Sequence, residues 1–110
     1  MKYHNKTIKI DNITFDSQVE GRRYLELKML LKAKKISNLQ MQPRFELQEK
    51  FTDNKGVNHR AITYVADFSY TDKTGTPIVE DVKGMQTAVY KLKKKLFLYI
   101  YDAYDFREII

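Results

Sequence analysis

Two β-type runs joined by a compact turn restrict this chain more than any other feature. Residues 59–70 read HRAITYVADFSY and residues 78–83 read IVEDVK, while residues 72–77 between them supply the Asp, Gly and Pro of tight turns. So short a connection joins antiparallel neighbours. A hairpin centred near Thr74 sets Asp67 across from Asp81, with Cβ atoms roughly 5 Å apart. Alternation predicts one face carrying Val65, Asp67 and Ser69, opposite Ala66, Phe68 and Tyr70. In the following strand, Asp81 and Lys83 share one face, and Glu80 and Val82 take the other.

Charges facing each other in this way need an explanation. At an effective dielectric near 20, two carboxylates about 4–5 Å apart repel by roughly 3–4 kcal/mol, so they call for a cation or a shared proton. The chain has no cysteine, and neither histidine, His4 or His59, has a partner at ligand spacing. Oxygen donors alone suit Mg²⁺ or Mn²⁺ rather than Zn²⁺. Lys83 on the same face is placed to orient a water and to offset phosphate charge. The ordinary alternative is a solvated sheet face on which Asp67 and Asp81 pair with Lys83 or other cations.

The rest of the chain frames this hairpin. Residues 7–15, TIKIDNITF, alternate around Asp11 and Asn12 and predict an opening hairpin. Asp16 and Ser17, with Glu20 at capping-box spacing, start a helix expected to end near Lys35 despite Gly21. Residues 39–51 alternate as one strand, and residues 53–56 turn the chain before the pair described above. A second helix is expected over 87–101, with Val89, Leu92, Leu96, Tyr99 and Ile100 on its apolar stripe, and YDFREI closes as a strand. Beyond the opening hairpin the order is helix, three strands, helix, strand. That order predicts an α/β fold in which a mixed sheet is flanked by helices.

At 110 residues, this is expected to be one domain spanning 1–110, with no linker, repeat or low-complexity tract. Hydrophobic residues at 43% and charged residues at 31% argue against both disorder and membrane embedding. No signal-peptide core or bilayer-length apolar run is visible, and the lack of cysteine is compatible with a reducing cytosol. The net charge of +6 favours a polyanionic partner.

The residues Asp67, Asp81, Val82 and Lys83, on the αβββαβ order, resemble the PD-(D/E)xK nuclease superfamily. Asp67 takes the place of its first acid and Asp81-Val82-Lys83 that of its acid-x-Lys triplet, although Ala66 stands where the superfamily motif has proline. Through FDSQVEGRRYLELKMLLKAKKISNLQMQPRFELQ, RAITYVADFSYTD and VEDVKGMQTAVYKLKKKLF the chain is also similar to a small phage- or prophage-encoded family described as candidate nucleases. Archaeal-type Holliday junction resolvases share this core and carry an acid in the first helix, a position that Glu20 takes by resemblance.

The resemblance implies a restriction-endonuclease-like core and Mg²⁺- or Mn²⁺-dependent hydrolysis of DNA phosphodiesters, with branched or recombination intermediates among the candidate substrates. It assigns Asp67, Asp81 and the Val82 carbonyl to the metal and the water to Lys83. For a phage-encoded protein it also implies the cytoplasm of a bacterial host.

Several residues keep two readings. Glu20 is either an acid of the site or the far member of a capping box; the stripe it shares with Tyr24, Leu27 and Leu31 points it along an apolar face. Glu80 is a supporting acid, or, were a β-bulge to exchange faces, the ligand in place of Asp81. Gln86 and Tyr90 either support the phosphate or, for Tyr90, belong to the core. Lys91, Lys94 and Lys95 contact nucleic-acid phosphates or solubilise a helix surface. Arg22 and Arg23 extend a positive rim or pair with nearby acids, and both histidines read as surface residues. Cutting two strands symmetrically would need two sites, so a homodimer is expected. The competing functions are a non-catalytic nucleic-acid-binding module of the same fold, and a structural or regulatory protein whose acids only form salt bridges.

Overall fold

A computed structural model describes residues 6–109. The chain opens with strands β1 (Ile8–Ile10) and β2 (Ile13–Phe15), paired antiparallel about Asp11 and Asn12. Both turn residues have left-handed backbones, φ 53° and 66°, the primed-turn geometry that matches strand twist and that Asp and Asn tolerate well. Helix α1 (Gln18–Lys32) follows, with Ser17 as N-cap accepting the Glu20 N–H at 3.1 Å.

Helix α1 ends three residues earlier than expected. Lys34 turns left-handed at φ 60°, its N–H reaches the Leu31 carbonyl and the Lys35 N–H reaches that of Leu30. This is a Schellman closure made without glycine, so the sequence carried no stop signal there. Gly21 has a packing role: a Cβ at that position would lie 2.7 Å from Ile8 Cγ2, so α1 lies against the opening hairpin at glycine distance.

Strands β3 (Ile36–Met41), β4 (Arg44–Gln48), β5 (Phe51–Thr52), β6 (Asn58–His59), β7 (Ile62–Val65) and β8 (Phe68–Asp72) come next. They are followed by β9 (Pro77–Val82), helix α2 (Ala88–Ile100) and β10 (Asp105–Ile109). A four-stranded sheet runs β10-β9-β8-β3, antiparallel except for the parallel pair β9 and β10. Strands β4 and β7, and β5 and β6, pair separately. With that excursion set aside, the chain runs helix, three strands, helix, strand: a mixed α/β fold with a helix on each face of the sheet.

The single strand expected over 39–51 is instead broken. At Gln42 (φ 54°) and Pro43 the chain bends, and β7 bends into β8 opposite it at Ala66 and Asp67. The ladder is carried through the bend by Gln42 N–H to Asp67 C=O (2.8 Å) and Ala66 N–H to Pro43 C=O (3.1 Å). The bend corrects the expected alternation. Phe68 and Tyr70 join Phe15, Tyr24, Leu27, Ile36 and Ile78 in a core under α1, whereas Ala66 and Tyr64 join Phe45, Val79, Tyr90 and Phe97 in a core under α2.

The stripe predicted for α2 also faces the wrong way. Tyr90 and Phe97 are its buried residues, while Val89, Leu92, Tyr99 and Ile100 are exposed. Periodicity shows that a helix has an apolar side; it does not say which side the sheet will take when aromatic residues stand opposite. No helix among the described residues is long and apolar enough to cross a membrane.

Candidate active site

The turn between β8 and β9 is built by Asp72, whose carboxylate accepts the N–H groups of Thr74 (2.9 Å) and Thr76 (3.0 Å), with Gly75 at φ 89°. It sets a register of Phe68 with Glu80 and Ser69 with Val79. The ladder pairing ends at Phe68, and beyond it the Asp67 N–H bonds the Glu80 carbonyl at 3.1 Å, one residue out of that register. The Asp67 carboxylate accepts the Val82 N–H at 2.5 Å. Val82 therefore meets Asp67 through its N–H, while its side chain packs against the core under α1.

Asp81 is 1% exposed. Its Oδ2 accepts the buried Tyr64 hydroxyl, and its Oδ1, also buried, has no hydrogen-bond partner. Lys83 Nζ lies 3.2 Å from that oxygen. The ammonium is not aligned to donate to it, and sits 4.6 Å from the centre of the Tyr90 ring. Oδ1 is thus a buried oxygen without a hydrogen bond among the described residues, with the Lys83 ammonium as its charge partner.

Glu20 reaches this cluster from the first turn of α1 and is itself buried. Burial first, then the negative charges of Asp67, Asp16 and Asp81 and a side-chain hydrogen bond with Asp67, push its carboxyl up to about 7. Burial likewise pushes Asp67 up to about 6, helped by Asp81 and opposed by the Val82 N–H and Lys83. Without a cation, Glu20 therefore remains partly protonated near neutrality, whereas Asp67 has lost most of its proton there. Burial and the Asp81 carboxylate raise the Tyr64 hydroxyl, which stays protonated and donating.

Asp81 has a further acidic neighbour, because the parallel register pairs it with Glu108 on β10. Glu108 Oε2 accepts from the Tyr90 hydroxyl (2.6 Å) and Gln86 Nε2 (3.2 Å) and pairs with Lys94 Nζ (3.1 Å). These contacts hold Glu108 below the usual carboxylate range, the Tyr90 hydrogen bond leading. Tyr90 is raised by burial and by Glu108.

The expected site residues fall into three groups. Glu20, Asp67, Asp81 and Lys83 form one cluster, with Val82 attached through its amide. Gln86, Tyr90 and Lys94 gather on Glu108, so Lys94 differs from its expected role as a free phosphate contact, having an internal carboxylate to neutralise. The third group lies on the other side of the sheet. Glu80 is 0% exposed and accepts Arg23 Nε (2.7 Å), Arg23 Nη2 (2.6 Å) and the Tyr70 hydroxyl.

No bulge in β9 exchanges the faces of Glu80 and Asp81. Glu80 therefore supports α1 rather than the acid cluster, and Arg23, which also bonds Glu26, is bound inward rather than forming a rim. Arg22, Lys91 and Lys95 are exposed and have no ion pair among the described residues. His59 is a surface residue, stacked on Phe51 and 2.9 Å from Asp53; His4 lies outside the described residues.

Tyr64, Glu108 and Asp16 were missed as members of the site. Tyr64 depends on the bend at Ala66, and Glu108 on the parallel placement of β10. Asp16 had a visible signal, lying one residue before the N-cap of the helix that carries Glu20.

Among the described residues, no group of three or more Asp, Glu or His side chains stands ready to hold a metal ion. Magnesium asks for less, commonly one or two carboxylates completed by water and substrate oxygens. Asp81 Oδ1, which has no hydrogen bond among the described residues, and the nearby Asp67 carboxylate fit that requirement in donor type and charge.

A family profile described as "Protein of unknown function (DUF1064)" matches residues 1–110. The chain belongs to that family. Neither the curated proteins nor the solved structures contain a match to it. The acid cluster is therefore read from its own geometry.

Proposed function

We propose that this DUF1064 member is a Mg²⁺- or Mn²⁺-dependent deoxyribonuclease of PD-(D/E)xK type that hydrolyses phosphodiester bonds. The observation that carries the reading is Asp81: a buried carboxylate close to Asp67, with one oxygen accepting from Tyr64 and the other, without a hydrogen bond, 3.2 Å from the Lys83 ammonium. Asp67 and Asp81 would hold the ion, and the Val82 carbonyl is the third donor proposed. The bound ion would supply charge to offset the developing phosphorane and would lower the pKa of a coordinated water.

The chain's own groups do the rest. The Val82 N–H fixes the Asp67 carboxylate, and Tyr64 fixes that of Asp81, so neither must reorganise when substrate arrives. Lys83, half-buried beside Asp81, offers its ammonium to a phosphate oxygen or to the attacking water. Glu20 shares a proton with Asp67 and accepts or returns it as the charge of the site changes. Lys91, Lys95 and Arg22 remain exposed for phosphate contact, an interaction that weakens as salt rises. Branched or recombination intermediates of phage DNA are the proposed substrates, the bacterial cytoplasm the proposed location, and a homodimer the proposed cutting form.

Incubating the purified protein with labelled linear, nicked, flapped and four-way DNA in Mg²⁺ or Mn²⁺ tests the reading. Cleavage by the wild type and its loss in Asp67→Ala, Asp81→Ala and Lys83→Ala are expected. Cleavage surviving all three substitutions would refute the assignment. Retained DNA binding without cleavage of any substrate would favour a binding module instead.

A further inference from the structure

Helix α2 is amphipathic on two sides. Its inward face is satisfied by Tyr90 and Phe97, yet its outward face carries Val89, Leu92 and Tyr99 at 62%, 59% and 84% exposure, with half-buried Leu96 between them and exposed Met85 just before the helix. Positions 85, 89, 92, 96 and 99 follow a 4-3-4-3 spacing. Within the helix, positions 89, 92, 96 and 99 have the spacing of one helix packing into another, with exposed Ile100 at the edge of the stripe. Exposed apolar side chains contiguous over several turns mark an interaction surface.

The charge beside the seam selects the occupant. Helix α2 carries Lys91, Lys93, Lys94 and Lys95 and no acidic residue. Lys93 borders the seam on one side, and Lys91 and Lys95 border it on the other. Antiparallel pairing of α2 with a second copy of itself would bring Lys95 against its symmetry mate and Lys93 against its own, which opposes association. Nucleic acid would satisfy the lysines but leave Val89, Leu92 and Tyr99 in water.

We infer that the outward face of α2 is a docking site for an acidic amphipathic helix of a protein partner, apolar at heptad spacing and carrying Glu or Asp on both flanks. Its apolar residues pack along Val89, Leu92, Leu96 and Tyr99, and its acids meet Lys91, Lys93 and Lys95. This inference needs no metal, and the partner and DNA would compete for Lys91 and Lys95.

The test uses the full chain and synthetic helical peptides with Leu at the two seam positions of each heptad. One peptide carries Glu on both flanks, a second carries Lys there, and a third is the Glu peptide with its order scrambled. Binding by fluorescence anisotropy at low salt is paired with amide shift mapping. Saturable binding of the Glu peptide alone is expected, with shifts centred on α2 and an affinity at least about tenfold lower in Leu92→Ser and in Lys93→Glu/Lys95→Glu. Leu92 is largely exposed, so its replacement leaves the core intact. Equal binding of the scrambled or Lys peptide would overturn the inference. So would dimerisation of the protein alone that Leu92→Ser abolishes, or binding to phosphatidylglycerol vesicles with no binding of the Glu peptide.

Discussion

Raising the pH from near 5 to near 8 without divalent cations should destabilise this protein, and the acid cluster supplies the magnitude. Burial lifts the Asp67 carboxyl from 3.8 to about 6 and that of Glu20 from 4.5 to about 7. Between the unfolded and folded values the native state keeps a proton that the unfolded chain has released. Unfolding therefore releases a proton, and stability falls as pH rises from about 4 to about 7.

The part of the Glu20 displacement that lies above pH 5, from there to about 7, alone corresponds to roughly 3 kcal/mol. Taking half of that, because water and neighbouring side chains relax around a charge, and roughly 4–8 °C per kcal/mol for a domain near this size, the melting temperature should drop by roughly 6–12 °C. Asp53 and Asp72, whose pKa values are lowered by hydrogen bonds, act in the opposite sense, but their change is complete below the starting pH.

Differential scanning fluorimetry across this range, with chelator and then with Mg²⁺ or Mn²⁺, reads the effect. Divalent cation should more than restore the loss at high pH, adding about 2.7 kcal/mol at a concentration one hundred times its dissociation constant. The Glu20→Gln/Asp67→Asn variant should show neither the fall nor the recovery. A wild-type melting temperature that stays level or climbs over this interval, or one indifferent to divalent cations near pH 8, would refute the reasoning.

Three further outcomes are expected. Tyr64→Phe keeps the ring packing but frees Asp81 Oδ2, so Mn²⁺ affinity measured by calorimetry should fall about 10–100-fold, and the unsatisfied buried oxygen should cost about 1–3 kcal/mol of stability. Arg23→Met leaves the fully buried Glu80 without its ion-pair partner and should cost roughly 3–5 kcal/mol in urea unfolding, with much of it recovered in Arg23→Met/Glu80→Leu. Gly21→Ala should destabilise by about 1–3 kcal/mol although alanine favours helices, because its Cβ would strike Ile8; a rise in stability would show that the hairpin yields freely.

The site's central pair was legible because turn chemistry and strand period are both local. Asp72 and Gly75 centre the turn at Thr74, and the register this sets carries Asp67 to the end of β9, where it bonds the backbone of Glu80 and Val82. The capping residue Ser17 and the left-handed turn at Asp11 and Asn12 were visible for the same reason. What escaped depends on contacts between distant segments. The bend at Gln42 and Asp67 moves Tyr64 toward Asp81, and β10 returns parallel to β9 to bring Glu108 alongside. The split of Glu80 and Asp81 between two faces followed from alternation, but the preference of Glu80 for Arg23 required the position of α1. For α2, two apolar sides competed for the sheet, and Phe97 with Tyr90 fill the space that Leu92 and Val89 would leave open.

The placement of Asp67 has a consequence for how this protein can vary. Its N–H, its carbonyl and its carboxylate are each tied to the backbone of another strand, at Glu80, Gln42 and Val82 respectively. None of these ties uses a partner's side chain, so substitutions at 42 and 82 leave the acid where it is, whereas Glu80 is constrained by its own ion pair with Arg23. Proline is the exception at 42 and 82, since it would delete the donor itself.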